Sequence, residues 1–458
     1  MKKIKNKIDY QAGQSRNSKR EKRKFKRNKR FHGLYNLNPN YYTEVGLIKH
    51  EEKIVSQKAF PLDEFLNKNG IGKNEIPSQE IIIPKHFVLE KSHTSSFKII
   101  TKIRRSITHF KGKSVTIDFG KCKDIDYSCI FLLLVILIEY TDFFEKLDKT
   151  LRTKKTRPNI YIKPSKNNEV NARLMAGYLI PEAKATKAFF KPFSMLNFIR
   201  GQKTKKSYME NQKGPAATMI RSYINDNLKQ HGFSLDIDNS AYLDGIISEI
   251  LNNAEDHSEF DTWYVSGNIF QSDSNGSEID DNFVSEINLA FLNFGYSIYS
   301  GFENNKHLNS ETYLQMDEMY EMVKTRMRDN NSFSKEEMFT LYSLQEGISR
   351  LNYENEDRGT GTMKILKSFI NLGDYVQEDK KIEPSLLVYS GDVFLKCDHK
   401  LRPQMIEGID VMALNEENDL NLPPESSHLK KLQNSFPGTF LVVKLYINRN
   451  HLEKKVRR

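Results

Sequence analysis

From residue 79 onward the apolar positions fall into two styles. In the first, short apolar runs alternate with helical spacing. IIIP at 81–84 opens it, and helical periodicity runs over Phe97–Phe110. SVTIDF (Ser114–Phe119) reads as a buried strand, and the run Ile130–Ile138 reads as a helix. NIYIK (Asn159–Lys163) is a further strand, followed by a helix marked by Val170, Leu174 and Tyr178 that stops before Pro181. Strands alternating with helices predict an α/β unit over 82–182. In the second style, helices are predicted at Ala216–Gln230 and Ser240–His257, with strands at Thr262–Gln271, Glu286–Asn293, Leu386–Leu395 and Thr439–Ile447. A polar helical insertion at 310–346 and a helix opening near Thr362 lie between them. That order predicts an α+β sandwich over 216–450, a mixed, mostly antiparallel sheet with helices on one face.

The stretches between are weaker. Residues 34–81 carry Pro61, Pro77 and scattered Asn that break any long period, and they read as an irregular lead-in. Residues 183–215 are rich in Lys with a single acid, Glu210, and read as a linker. The longest apolar run, Cys129–Ile138, spans ten residues before Glu139, about half of what a membrane crossing needs. Cys122, Cys129 and Cys397 form no C-x-x-C pair, so neither a disulfide framework nor a cysteine zinc site is indicated and a reducing cytoplasm is expected. The start has positive charge but no apolar stretch behind it, unlike a secretory signal.

Charge changes the picture at one end only. The chain of 458 residues carries +11, yet residues 1–33 hold 14 Lys/Arg against Asp9 and Glu21, so the remainder is close to neutral. Such a tail can grip a polyanion by counterion release, or simply stay solvated and disordered.

The most informative stretch is DGIISEILNNAEDHS. Leu243, Ile246, Ile247, Ile250 and Ala254 make one apolar helical face, and Glu249 and Asn253 stand one turn apart at its edge. A carboxylate and an amide projecting together from a rigid element suit a general base and a magnesium ligand, although E-x-x-x-N alone is also an ordinary exposed helix edge. Downstream, EINLAFLNFGYSIYSGF ends a buried strand in Asn293-Phe294-Gly295, an amide followed by flexible backbone. EDRGTGTMKILKSFI then sets Gly359 and Gly361 before an apolar-periodic helix of Met363, Leu366 and Ile370. Glycines there let free backbone N–H groups approach phosphate, while an ordinary turn remains the commoner explanation.

In this order the three segments resemble the nucleotide boxes of the GHKL (Bergerat-fold) ATPase superfamily, which includes gyrase B-type topoisomerases, mismatch-repair ATPases, heat-shock chaperones, histidine kinases and anti-sigma-factor serine kinases. The resemblance covers roughly 216–450. It implies ATP and Mg²⁺ as cofactors, with Glu249 as base, Asn253 as metal ligand, Asn293 and Gly295 as adenine contacts, and Gly359, Thr360 and Gly361 as phosphate lid. PGTFLVVKLYI resembles the closing strand. Where the family usually reads D-x-G-x-G, this chain has Asn293 for the Asp and Ser297 for the second Gly, and its second box lacks a third glycine.

SVTIDFGKCKDIDYSCIFLLLVILI resembles the strand, Asp-containing turn and apolar helix of STAS domains, over roughly 82–182. Ser128 matches the position that carries a phosphorylatable serine in anti-sigma-factor antagonists of that family; the plain alternative is a helix cap. His257 is expected to cap or pack, Trp263 to be core, and Arg350 and Arg358 to reach a phosphate or form surface ion pairs. No His is followed five residues later by Pro, so the phospho-acceptor motif of histidine kinases is absent.

The resulting expectation is a cytoplasmic ATP-binding protein, a Mg-dependent ATPase or serine kinase, regulated through a fused STAS-like domain, with a lid at 296–358 that orders with the γ-phosphate. The expected partners are ATP, a protein and, through residues 1–33, nucleic acid; a homodimer is compatible. The rivals are a non-catalytic interaction module with a degenerate pocket and a nucleic-acid-associated ATPase.

Overall fold

The computed structural model describes residues 75–110, 112–151, 158–181, 193–202, 213–230, 232, 234–235, 237–256, 258–271, 284–327, 332–345, 348, 363, 367, 375–376, 382–406, 408–448 and 451. All of them belong to one compact unit, Pro61–Arg458. The basic segment 1–33 and most of the lead-in lie outside the described residues.

The expected α/β region comprises β1 (Glu80–Ile82), β2 (His86–Phe87), α1 (His93–His109), β3 (Ser114–Asp118), β4 (Asp124–Ile125), α2 (Tyr127–Leu151), β5 (Asn159–Lys163) and α3 (Asn168–Ala176). Strands β1, β3 and β5 form a parallel sheet in that order, and β2 pairs with β4 in parallel. A helix apolar on every side needs neighbours on several sides. Accordingly α2, buried from Tyr127 to Ile136, packs against α1, against α3 and against the larger sheet. Glu139, which closes the apolar run, accepts a hydrogen bond from Tyr264 Oη at 2.8 Å and pairs with Arg200 at 3.2 Å.

The larger region holds β6 (Phe193–Gln202), α4 (Lys213–Gln230), α5 (Ile237–Asp256), β7 (Ser258–Gln271), β8 (Val284–Gly295), α6 (Ile298–Asn304), α7 (Ser310–Lys324), α8 (Lys335–Tyr342), β9 (Ser385–Asp398), β10 (Gln404–Ile406), β11 (Ile409–Val411) and β12 (Leu429–Asn448). Five strands form one sheet in the order β6-β7-β8-β12-β9.

Three expectations need correction. The expected linker 183–215 contains an edge strand, β6, and its last residues already open α4. The sheet is antiparallel at every described pairing rather than mixed. Two helices, not one, separate β6 from β7, so the chain returns to the end of the sheet it left and enters β7 in the opposite direction. Finally, the described part of the expected lid is a docked helical layer. Ser297, Asn309 and Ser334 cap its three helices, and Met316, Val323, Met338, Phe339 and Tyr342 are buried in the core.

Helices α4 to α8 contribute to a single core against one face of the sheet, here the front, through Ile220, Ile224, Ile247, Leu251, Met316 and Phe339. The back face is not open to water, as α1 and α2 pack on β12 and β8. Phe131 of α2 stacks on Phe440 at 5.6 Å between ring centroids, and Phe440 also meets Tyr389 and Phe436. Among the described residues no helix is long and apolar enough to cross a membrane.

Candidate functional site

Helix α5 places the acid–amide pair. Leu243, Ile247, Ile250, Leu251 and Ala254 are buried, and α5 packs on β7 and β8. Its neighbour α4 is tied to it by Arg221–Asp244 (2.9 Å) and Lys213–Glu255, and α4 lies on the β6 side of the sheet. At about 100° per residue, Glu249 and Asn253 fall on the flank of α5 opposite Asp244 and Glu255. Both are half-buried, and that flank looks towards β12 and β9, where α6 and α8 pack. The pair therefore lies on the flank of α5 away from α4, on the side of the front face where β8 and β12 run.

Connectivity fixes the end of the sheet at which α5 stops. One residue separates Asp256, the end of α5, from Ser258, the start of β7. At that same end Ser258 pairs with Gly295, and Trp263 with Asn293. The C-terminal turns of α5 and the C-terminal end of β8 thus meet at one end of the front face.

Register defines the rows across the sheet. One row across the front face reads Ile199–Val265–Phe291–Leu441–Val388, apolar throughout. The next row reads Gly201–Trp263–Asn293–Thr439–Ser390, where the sheet turns polar. The Trp263 indole lies across Gly201, where any Cβ would collide with it, so the ring leans towards β6 rather than over Asn293. Gly438 (φ +137°) brings the β12 backbone against the Asn293 carbonyl at a distance that no Cβ would permit. Ser390 Oγ accepts from Ile298 N at 2.9 Å and lies 3.0 Å from Thr439 Oγ1. Asn293 is 3% exposed, and its Nδ2 has no hydrogen-bond partner among the described residues. A buried donor left unpaired costs about 1–3 kcal/mol, so such an atom in a native fold calls for an explanation.

No family model, curated protein or solved structure matches this chain. The site therefore rests on its own geometry. That geometry puts the elements that carry Glu249, Asn253, Asn293 and Gly295, four of the residues singled out from sequence, side by side at one end of the front face. Gly359, Thr360 and Gly361 lie outside the described residues, as do Arg350, Arg358 and His257. Met363, two positions after Gly361, is buried in the same core as α5. Ser297, at the place of a family glycine, is the N-cap of α6 and accepts from Ser300 N at 3.0 Å. Thr439 and Ser390 were not legible as site residues, because only strand register sets them beside Asn293.

Ser128 corrects an expectation. It is 1% exposed rather than open to a kinase, and packing in the α2–sheet junction keeps it so. Neither is it the helix cap: Asp126 accepts from Cys129 N at 2.9 Å and from Leu89 N at 2.7 Å. Trp263 is core, as expected.

A second polar row lies on the back face: Asn268–Asn288–Lys444–Ser385. Beside it a cavity of about 210 Å³ is lined by Asp126, Ser128, Arg173, Glu286, Asn288 and Lys444, among others. Here the charges satisfy one another. Arg173 grips Glu286 through two donors at 2.8 and 3.2 Å, and Asn288 Nδ2 donates to Glu286 Oε1 and to Asn268 Oδ1, each at 3.0 Å. Burial alone would raise the Glu286 pKa, but Arg173 and Lys444 hold its carboxyl well below the usual carboxylate range.

Proposed function

We propose that this chain is an ATP-binding protein of GHKL type, a Mg-dependent ATPase or protein serine kinase whose STAS-like α/β region, on the back face of the sheet, serves regulation in the cytoplasm. The observation that carries this reading is the buried amide nitrogen of Asn293, without a partner among the described residues and set at the same end of the same sheet face as the C-terminal turns of α5, which carry Glu249 and Asn253. A purine edge supplies what that amide lacks. A nucleotide with its base on that row would carry its phosphates towards the acid–amide pair on α5.

The donor set fits magnesium. Mg²⁺ keeps several waters and asks for one or two protein ligands besides phosphate oxygens, so no dedicated cage is needed, and among the described residues none is formed. Asn253 would hold the ion through its amide oxygen. Bound there, Mg²⁺ would neutralise charge on the phosphates. Glu249, one turn away on the same rigid helix, takes the proton from the attacking hydroxyl, whether of water or of a protein serine. In either case the bond from the γ-phosphorus to the bridging oxygen breaks and ADP leaves; attack by water releases phosphate, and attack by a serine leaves it on protein.

Both outcomes use the same base, so the experiment follows the γ-phosphate itself. Radiolabelled ATP incubated with the full chain is expected to yield free phosphate or labelled protein over time. Glu249→Ala should slow either by at least about 100-fold, the usual worth of a general base, while binding persists. Saturable binding with no label moved would leave a binding module, and no saturable Mg·ATP binding would reject the reading.

A further inference from the structure

The reading above assigns ATP to the front face without saying how strictly the row selects adenine. We propose that the row is permissive at the purine 6-position, so that the site takes 6-oxopurine triphosphates, guanosine or inosine, about as well as adenosine triphosphate. This rests on the nucleotide reading of the same site.

One register row supplies the relevant charges and donors. Trp263, Asn293, Thr439 and Ser390 are all neutral. A carboxylate at position 293 would only accept hydrogen bonds: it would welcome the 6-amino group of adenine and repel a 6-oxo group held at the same point. An amide carries both functions side by side. Its Oδ1 can accept from the 6-amino group while Nδ2 donates to N1; with a 6-oxo base, Nδ2 donates to O6 while Oδ1 accepts from N1–H. The Nδ2 atom is the one left without a partner among the described residues, so the spare function is the donor that a 6-oxo group needs.

The hydroxyls beside it can follow either base. Ser390 Oγ lies 3.2 Å from Gly438 O and 3.0 Å from Thr439 Oγ1, and either hydroxyl can be the donor between them. When Ser390 donates to Gly438 O, Thr439 donates to Ser390 and keeps a lone pair to offer. When Ser390 donates to Thr439, the Thr439 hydrogen is free to turn outward. Reversal costs no buried charge and gives up one hydrogen bond, from Ser390 to the Gly438 carbonyl. A site whose polar groups are fixed rejects a mismatched base by orders of magnitude, because its own groups are then stranded. A row that can reverse imposes a smaller penalty.

Calorimetric titration of the full chain with Mg·ATP, Mg·GTP and Mg·ITP tests this. The expected result is saturable binding of all three, with dissociation constants within about tenfold of one another. Asn293→Asp is expected to shift the ATP-to-GTP affinity ratio towards ATP by at least tenfold, as a carboxylate facing O6 sets two acceptors against each other. A wild-type preference above tenfold for any one nucleotide overturns the inference and leaves the nucleotide reading standing. So does an unchanged ratio in a folded Asn293→Asp protein. Absence of binding by all three overturns the nucleotide reading, and the inference falls with it. The wild-type ratio decides the question even where the variant does not fold.

Discussion

Two polar rows cross the same five-stranded sheet, one on each face, and they are built on opposite terms. The back row, Asn268–Asn288–Lys444–Ser385, is charged and closed on itself: Arg173 reaches across from α3 to Glu286, and Asn288 bridges Glu286 to Asn268. The front row, Trp263–Asn293–Thr439–Ser390, is neutral and leaves one amide donor unpaired among the described residues. A cavity of about 210 Å³ lies beside the charged network of the back face. Within the two rows, the unpaired donor is in the front one. A satisfied buried network holds two layers together, whereas an unsatisfied group in a native fold calls for an explanation.

The largest effect expected from this contrast is at Arg173. Replacing it by Met leaves the Glu286 carboxylate beside the back cavity without its main partner, and loss of one member of such a pair costs about 3 kcal/mol. Chemical denaturation should show that loss, while Mg·ATP affinity of the remaining folded protein stays within about twofold, since no front-face group has moved. If affinity falls with stability, the two faces are not independent and the contrast breaks.

Asn293→Ala should give the mirror image. The amide donor it removes has no partner, so stability should change by no more than about 1 kcal/mol. Mg·ATP affinity should fall at least tenfold in calorimetry. A variant that loses stability instead of affinity would assign Asn293 to packing.

Sequence pattern carried much of the fold because the dominant forces there are periodic. The run Cys129–Ile138 requires a helix with neighbours on several sides, and alternation through Glu286–Asn293 sets Asn288 and Asn293 on opposite faces of one strand. Strand β6 was hidden because its residues, FSMLNFIRGQ, sit in a Lys-rich setting and pair only at an edge. In the candidate site, Glu249 and Asn253 were legible from helical spacing and Asn293 from its place at a strand end. Thr439 and Ser390 were not, since they lie roughly 100 or more positions downstream of Asn293 and only register joins them to it. Ser128 misled because a helix start reads as exposed unless one knows that a second layer covers it.

The smallest expected effect sits where the back face meets α1. His93, the first residue of that helix, stands edge-on to Phe394 at 4.9 Å and to Tyr389 at 5.6 Å, and its Nε2 is buried without a partner among the described residues. Burial, reinforced by Lys430 and opposed by Glu90, lowers its pKa to about 4 from the ordinary 6.5. Above pH 6.5 the ring is neutral in both folded and unfolded chains and contributes no pH dependence. As pH falls from 6.5 towards 4 the unfolded chain takes up a proton that the folded one refuses, so stability declines through that window. The melting temperature should therefore drop by a few degrees between pH 7 and pH 5, and His93→Phe, which keeps the ring contacts and removes the proton, should shrink that drop. Mg·ATP affinity at pH 7 should not respond, because the ring touches only the back face. An undiminished drop in the Phe variant would mean that other groups carry the acid sensitivity. A change in affinity would mean that the strands carrying Tyr389 and Thr439 transmit what happens on one face to the other.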